Sequence, residues 1–122
     1  MKQFEEFTRE EKNFIYIDLS GYTSYEDFKK ITDSAARIIA GHPKNSLYTI
    51  TNIEGLKFDT RIREIALEYL KSNKPYTKYG AVVGMDGIKK IMLTNVFKLS
   101  GRKNMFFALS IDHAIEWLLK QD

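Results

Sequence analysis

From Tyr79 to Gly84 the chain reads Tyr-Gly-Ala-Val-Val-Gly, apolar without alternation, the pattern of a short strand buried on both faces. Gly84 and Gly87 then allow a sharp turn, and apolar residues return at helical spacing from Ile88 to Leu99. A strand, a Gly-rich turn and a helix make half of a βαβ unit, so the flanking segments are expected to be strands and helices packed around it. Upstream, Phe4 and Phe7 mark a short edge strand and Arg9–Asn13 a polar turn. Phe14–Leu19 is a β-branched and aromatic strand with Ile15, Ile17 and Leu19 on one face, which makes the opening a hairpin. Leu47–Thr51 and Met105–Leu109 have the same strand character.

Helical spacing governs the segments between. Thr23 with Glu26 forms a capping box ahead of an inward stripe of Phe28, Ile31, Thr32, Ala35, Ile38 and Ile39, and Gly41 and Pro43 end that helix. Asp59 or Thr60 caps a second helix with Ile62, Ile65, Ala66, Tyr69 and Leu70 inward and Arg61, Glu64, Glu68 and Lys71 outward. Ser110 caps a last helix with Ile111, Ala114, Ile115, Leu118 and Leu119 facing the core and Trp117 half-buried beside them. The expected order is β-β-α-β-α-β-α-β-α in a single domain over residues 1–122. It makes an α/β fold with a mixed, mostly parallel sheet and an antiparallel edge at the hairpin.

The helix after Gly87 carries more apolar surface than one sheet consumes. Ile88, Ile91, Met92, Val96 and Leu99 form one stripe, the expected docking face. At about 100° per residue, Leu93 and Phe97 fall on nearly the opposite side, beside Lys89 and Lys90. That second ridge is expected to meet another part of the chain, a second subunit or a lipid-like ligand.

Composition narrows the chemistry. With 122 residues, 43% hydrophobic and 29% charged, the chain is an ordinary globular one. Cysteine is absent, which excludes disulfides, thiolate chemistry and Cys-based zinc sites and fits a reducing cytoplasm. Met-Lys-Gln-Phe-Glu-Glu-Phe has no apolar secretion core, and no apolar run is long enough to span a bilayer. Between Lys57 and Lys103 eleven Lys and Arg stand against four acids, a basic excess suited to phosphates, acidic lipids or an acidic partner.

No catalytic constellation emerges. His42 sits in a loop and His113 in a first helical turn, neither beside a nucleophile, and there is no Gly-x-Ser-x-Gly. Gly84-x-x-Gly87 lacks both the Walker lysine-hydroxyl pair and a dinucleotide fingerprint, and no metal or cofactor set is present. Nucleic acid is not expected either, for want of a reading helix or an aromatic stacking platform. The loop after Leu47–Thr51, with Asn52 and Glu54, sits where open α/β sheets form their crevice.

Three stretches carry a resemblance: the strand running into Gly21-Tyr22-Thr23 with its acidic helix start, Tyr79–Gly84, and Phe106-Phe107-x-x-Ser110-x-x-x-Ala114-x-x-Trp117-Leu118. Together they resemble the SpoIIAA-like branch of the STAS superfamily, the anti-sigma-factor-antagonist fold, akin to the CRAL-TRIO lipid-transfer domains. The resemblance implies a four- or five-stranded sheet with helices chiefly on one side. Classical members carry a phosphorylated serine just after the strand matching Leu47–Thr51. Thr51-Asn52-Ile53-Glu54-Gly55 has none, so that switch is not carried over. Two expectations follow. One is a non-enzymatic, cytoplasmic interaction module that binds a protein partner or forms a homodimer through Leu93 and Phe97. The other is a carrier of a lipid or other apolar anion, with the helix as a lid, Met92, Leu93 and Phe97 lining a cavity, and Lys89, Lys90, Arg102 and Lys103 meeting the head group.

Overall fold

The computed structural model describes residues 3–122; Met1 and Lys2, the start of the segment expected to lack a secretion core, lie outside the described residues. The order is β1 (Phe4–Arg9), β2 (Lys12–Asp18), α1 (Tyr25–Ala40), β3 (Leu47–Asn52), α2 (Thr60–Asn73), β4 (Thr77–Val83), α3 (Gly87–Ser100), β5 (Met105–Phe107) and α4 (Ile111–Leu119). The five strands form one sheet in sequence order, with β1 antiparallel to β2 and the other neighbours parallel. The described residues are thus α/β, with a mixed sheet and four helices.

Strand alternation explains why two cores form. Ile15, Ile17, Leu47 and Val82 point to the side covered by α1, α2 and α3. Phe14, Tyr16, Tyr48, Ile50, Ala81 and Val83 point to the other side, covered by Ala114 and Leu118 of α4. Crossovers of one hand, each stepping to the next strand, keep the first three helices together. The terminal helix, free of a further strand, closes the opposite face. There Trp117 is half-buried, stacked on Phe106 with centroids 4.4 Å apart and edge-on to Tyr79.

Local chemistry moves several boundaries. The first turn is two residues, Glu10 and Glu11, both at positive φ, as a primed hairpin turn requires. The α1 cap is Ser24 rather than Thr23, and its hydroxyl accepts from the Asp27 amide. Asp59, Asp86 and Ser110 cap the other helices in the same way. β5 stops at Phe107, after which Ala108 makes one more bond to the Val82 carbonyl and Leu109 turns out to solvent.

α3 reverses the expected faces. Leu93 and Phe97 are 5% and 8% exposed and pack into the core with Val96, whereas Ile88, Ile91 and Leu99 are 74%, 68% and 57% exposed. Met92 lies half-buried between the two sides. The docked stripe is therefore Lys89, Leu93, Val96, Phe97 and Ser100, spaced four, three, one and three apart as a helix face demands. Its polar members hid it in the sequence. What seats it is aromatic volume, since the Phe97 ring stacks on Phe107 at 5.5 Å.

Candidate functional site

Apolar surface and charge combine on the outer side of α3 and in the crevice at the carboxyl ends of the parallel strands. On α3 the chain enters through Asp86, whose carboxylate accepts the Lys89 amide at 2.9 Å. It leaves through Gly101 at φ 75°, whose amide bonds back to the carbonyls of Phe97 and Lys98. Between these caps Ile88, Ile91 and Leu99 line one side, with Asn95 among them. At about 100° per residue these four fall within one stripe. Hence the apolar surplus expected of this helix is present, but on Ile88, Ile91 and Leu99 and not on Leu93 and Phe97.

Lysines flank that ridge. Lys98 stands two turns beyond Ile91 on the same line, and Lys90 hangs over the Phe107 ring at 5.5 Å. At the far end the Lys74 ammonium lies 2.8 Å from where a Cβ on Gly101 would stand, and Lys103 is exposed in the next turn. Among the described residues none of these four has a carboxylate within 4.0 Å. Lys89 is set apart, half-buried, with its ammonium 3.5 Å from the Ile53 carbonyl.

Arg102, expected to meet a head group, is buried instead, at 5% exposure. Its guanidinium reaches the Leu70 carbonyl at 3.3 Å, the Asn104 side-chain oxygen at 3.2 Å and the Met105 sulfur at 3.1 Å. It thus ties the end of α2 to the start of β5, a favourable place for a cation. Burial, opposed by nearby Tyr69, pulls its pKa down to about 10. Burial, opposed by nearby Asn73 and Arg102, likewise pushes the Tyr69 phenol well above its ordinary range, and among the described residues its hydroxyl has no partner within hydrogen-bond distance. Tyr69→Phe removes that orphan group. It is expected to leave stability within about 1 kcal/mol of the parent or above it, as read by urea denaturation. A loss beyond about 2 kcal/mol would mean that the hydroxyl is paired.

Beneath α3, Leu93 and Phe97 do border an apolar cavity, with Leu19, Phe28, Tyr69 and Val82 among its other walls. Its volume is about 50 Å³. Sites for small organic ligands run from about 300 Å³ upward. Met92 does not line it, and Lys90 and Lys103 stand outside.

The crevice at the strand ends is larger, about 700 Å³, open, and lined in part by Asn52, Glu54, Gly84, Met85, Lys89 and Leu109. Asn52 is the last residue of β3 and Glu54 lies in the loop after it, so both border this crevice. The Asn52 amide donates to the Tyr16 hydroxyl at 3.1 Å, and its oxygen accepts the Glu54 amide at 3.0 Å. One polar end of Asn52 thus ties the end of β3 to β2, and the other shapes the loop.

Both histidines make structural contacts. His42 Nδ1 sits 3.0 Å from the Ile38 carbonyl and its Nε2 2.6 Å from Glu6, so it fastens the end of α1 to β1. His113 Nδ1 accepts the Leu109 amide at 3.0 Å, which shapes the turn into α4. Among the described residues no group of three or more His, Asp or Glu is placed to hold a metal ion, and no helix is long and apolar enough to cross a membrane. No family model, curated protein or solved structure matches the chain.

Proposed function

We propose that this chain is a non-enzymatic, STAS-like interaction module that binds a protein partner through the outer side of α3. The observation that carries this reading is the exposure of Ile88, Ile91 and Leu99, three large aliphatic side chains aligned on a single helix. Isolated exposed apolar residues are commonplace, but an aligned set is the usual mark of a docking surface. The SpoIIAA-like resemblance agrees with a module that works by contact rather than by catalysis.

The test is a double substitution, Ile91→Asp with Leu99→Asp. Both positions face solvent, so the far-ultraviolet circular dichroism spectrum and Tm are expected to stay unchanged. Cross-linking in cells is expected to trap the parent protein in an adduct that the variant does not form. A parent that stays monomeric and yields no Ile91-dependent adduct removes the reading.

A second reading, a carrier or sensor of a lipid or other apolar anion, draws on the apolar cavity under Leu93 and Phe97. It requires α3 to lift away from the sheet and the cavity to grow several-fold. Native mass spectrometry of protein taken from cells decides it: a co-purified lipid mass supports a carrier, and a bare chain that takes up nothing from liposomes removes it.

A further inference from the structure

We infer that the partner of the α3 ridge is an acidic amphipathic helix of another protein. This rests on the interaction reading above and concerns the chemistry of what docks. Ile88 and Leu99 are eleven steps apart, about 16 Å along the helix axis. A straight row of that length, one apolar side chain per turn or two, is what a second helix packs against.

Charge selects among the occupants. From Gly87 to Lys103 the chain carries five basic residues and no Asp or Glu, and the nearest acid, Asp86, is engaged in capping. Lys90 and Lys98 flank the ridge, Lys74 reaches Gly101 just past its Leu99 end, and Lys103 is exposed in the turn beyond, all without a carboxylate within 4.0 Å among the described residues. A two-fold pair of copies meeting through antiparallel α3 helices would bring Lys98 of one copy towards Lys90 of the other, and like charges across an interface are costly. An anionic membrane would satisfy the charge. However, the Trp and Tyr that fix a helix at the headgroup level are missing from this ridge, and its aromatic neighbour Phe97 points into the core. An acidic helix meets both requirements, with its apolar stripe on Ile88, Ile91 and Leu99 and its carboxylates beside the lysines.

The experiment is selection of a phage-displayed library of helical peptides, randomised on one face, against the full chain, with counter-selection against the Ile91→Asp/Leu99→Asp variant. The enriched peptides are expected to carry an apolar stripe bordered by Asp and Glu. Their affinity should fall at least about tenfold between about 0.05 M and about 0.5 M salt. A Lys90→Glu/Lys98→Glu variant is expected to reverse the selection towards Lys and Arg, which a merely structural role for these lysines would not do. Enrichment of neutral or basic peptides, or no enrichment at all, overturns the inference.

Two further measurements separate this failure from that of the parent reading. If sedimentation velocity shows a dimer that Ile91→Asp/Leu99→Asp dissolves, the occupant is a second copy; the interaction reading stands and the acidic helix falls. If the chain floats with phosphatidylglycerol vesicles and the variant does not, the occupant is a membrane, and both fall. Absence of any Ile91-dependent association in all three assays removes both as well.

Discussion

Phe97→Ala is expected to lower stability by about 3–5 kcal/mol, while Ile91→Ala, six residues earlier on the same helix, stays within about 0.5 kcal/mol of the parent. The first substitution empties a core position against Phe107 and enlarges a cavity that already exists there. Loss of the buried ring and growth of the cavity act together. The second removes a side chain that is 68% exposed. Alanine is also the better helix former, so a slight gain there is the natural outcome. A domain of this size has about 5–15 kcal/mol of stability in all, and the Phe97 variant would lose a large share of it. Urea denaturation followed by circular dichroism reads both. Equal losses, or a larger one at Ile91, would mean that the opposite side of α3 rests on the sheet.

That pair of substitutions bears on the point where sequence and structure part. Apolar residues occur nearly all round α3, so periodicity identifies the helix without identifying its buried side. Summed hydrophobicity favours Ile88, Ile91, Met92, Val96 and Leu99, because the rival stripe includes Lys89 and Ser100. In the fold those two polar residues cost little: Lys89 sits at the rim with its ammonium near the Ile53 carbonyl, and the Ser100 hydroxyl donates to the Phe97 carbonyl at 2.9 Å. Size decides instead. Phe97 fills space against Phe107 that no isoleucine on the other side would reach.

The rest of the fold was more legible where one residue type had one use. The unbroken apolar run in β4 announced a strand buried on both faces, and helical stripes in α1, α2 and α4 were unambiguous; that Phe14 and Tyr16 of β2 meet a second core under α4 was not foreseen. The two-residue turn at Glu10 and Glu11 was not, because Asn-Gly, the usual signal for two left-handed residues, is missing. For the site, the basic excess between Lys57 and Lys103 was readable in the chain, but its arrangement was not. Arg102 is enclosed by the end of α2, while Lys74, which follows that helix directly, comes to the foot of α3 only through the fold. Which basic residues remain free to meet a partner is a property of packing.

Gly84→Ala is expected to cost about 3 kcal/mol, mostly from backbone that cannot give way. Gly84 ends β4 at φ 85°, a conformation that costs a residue with a Cβ about 1–2 kcal/mol by itself. The added methyl would stand 2.6 Å from the Glu54 amide nitrogen, 2.8 Å from the Glu54 Cβ and 2.9 Å from the Asn52 side-chain oxygen. Relief requires the loop after β3 to move outward. That movement strains the bond from the Ile53 amide to the Val83 carbonyl and the turn in which Asn52 accepts the Glu54 amide. The same shift would widen the crevice at the strand ends, since Asn52, Glu54 and Gly84 all line it. Gly87 is the internal control. It opens α3 with open space within 4 Å of where its added methyl would stand and without a positive φ, so Gly87→Ala is expected to be neutral or to stabilise by about 0.5–1 kcal/mol. If thermal denaturation showed the two alanine variants equally stable, the ends of β3 and β4 would not approach so closely, and the crevice would lose its floor.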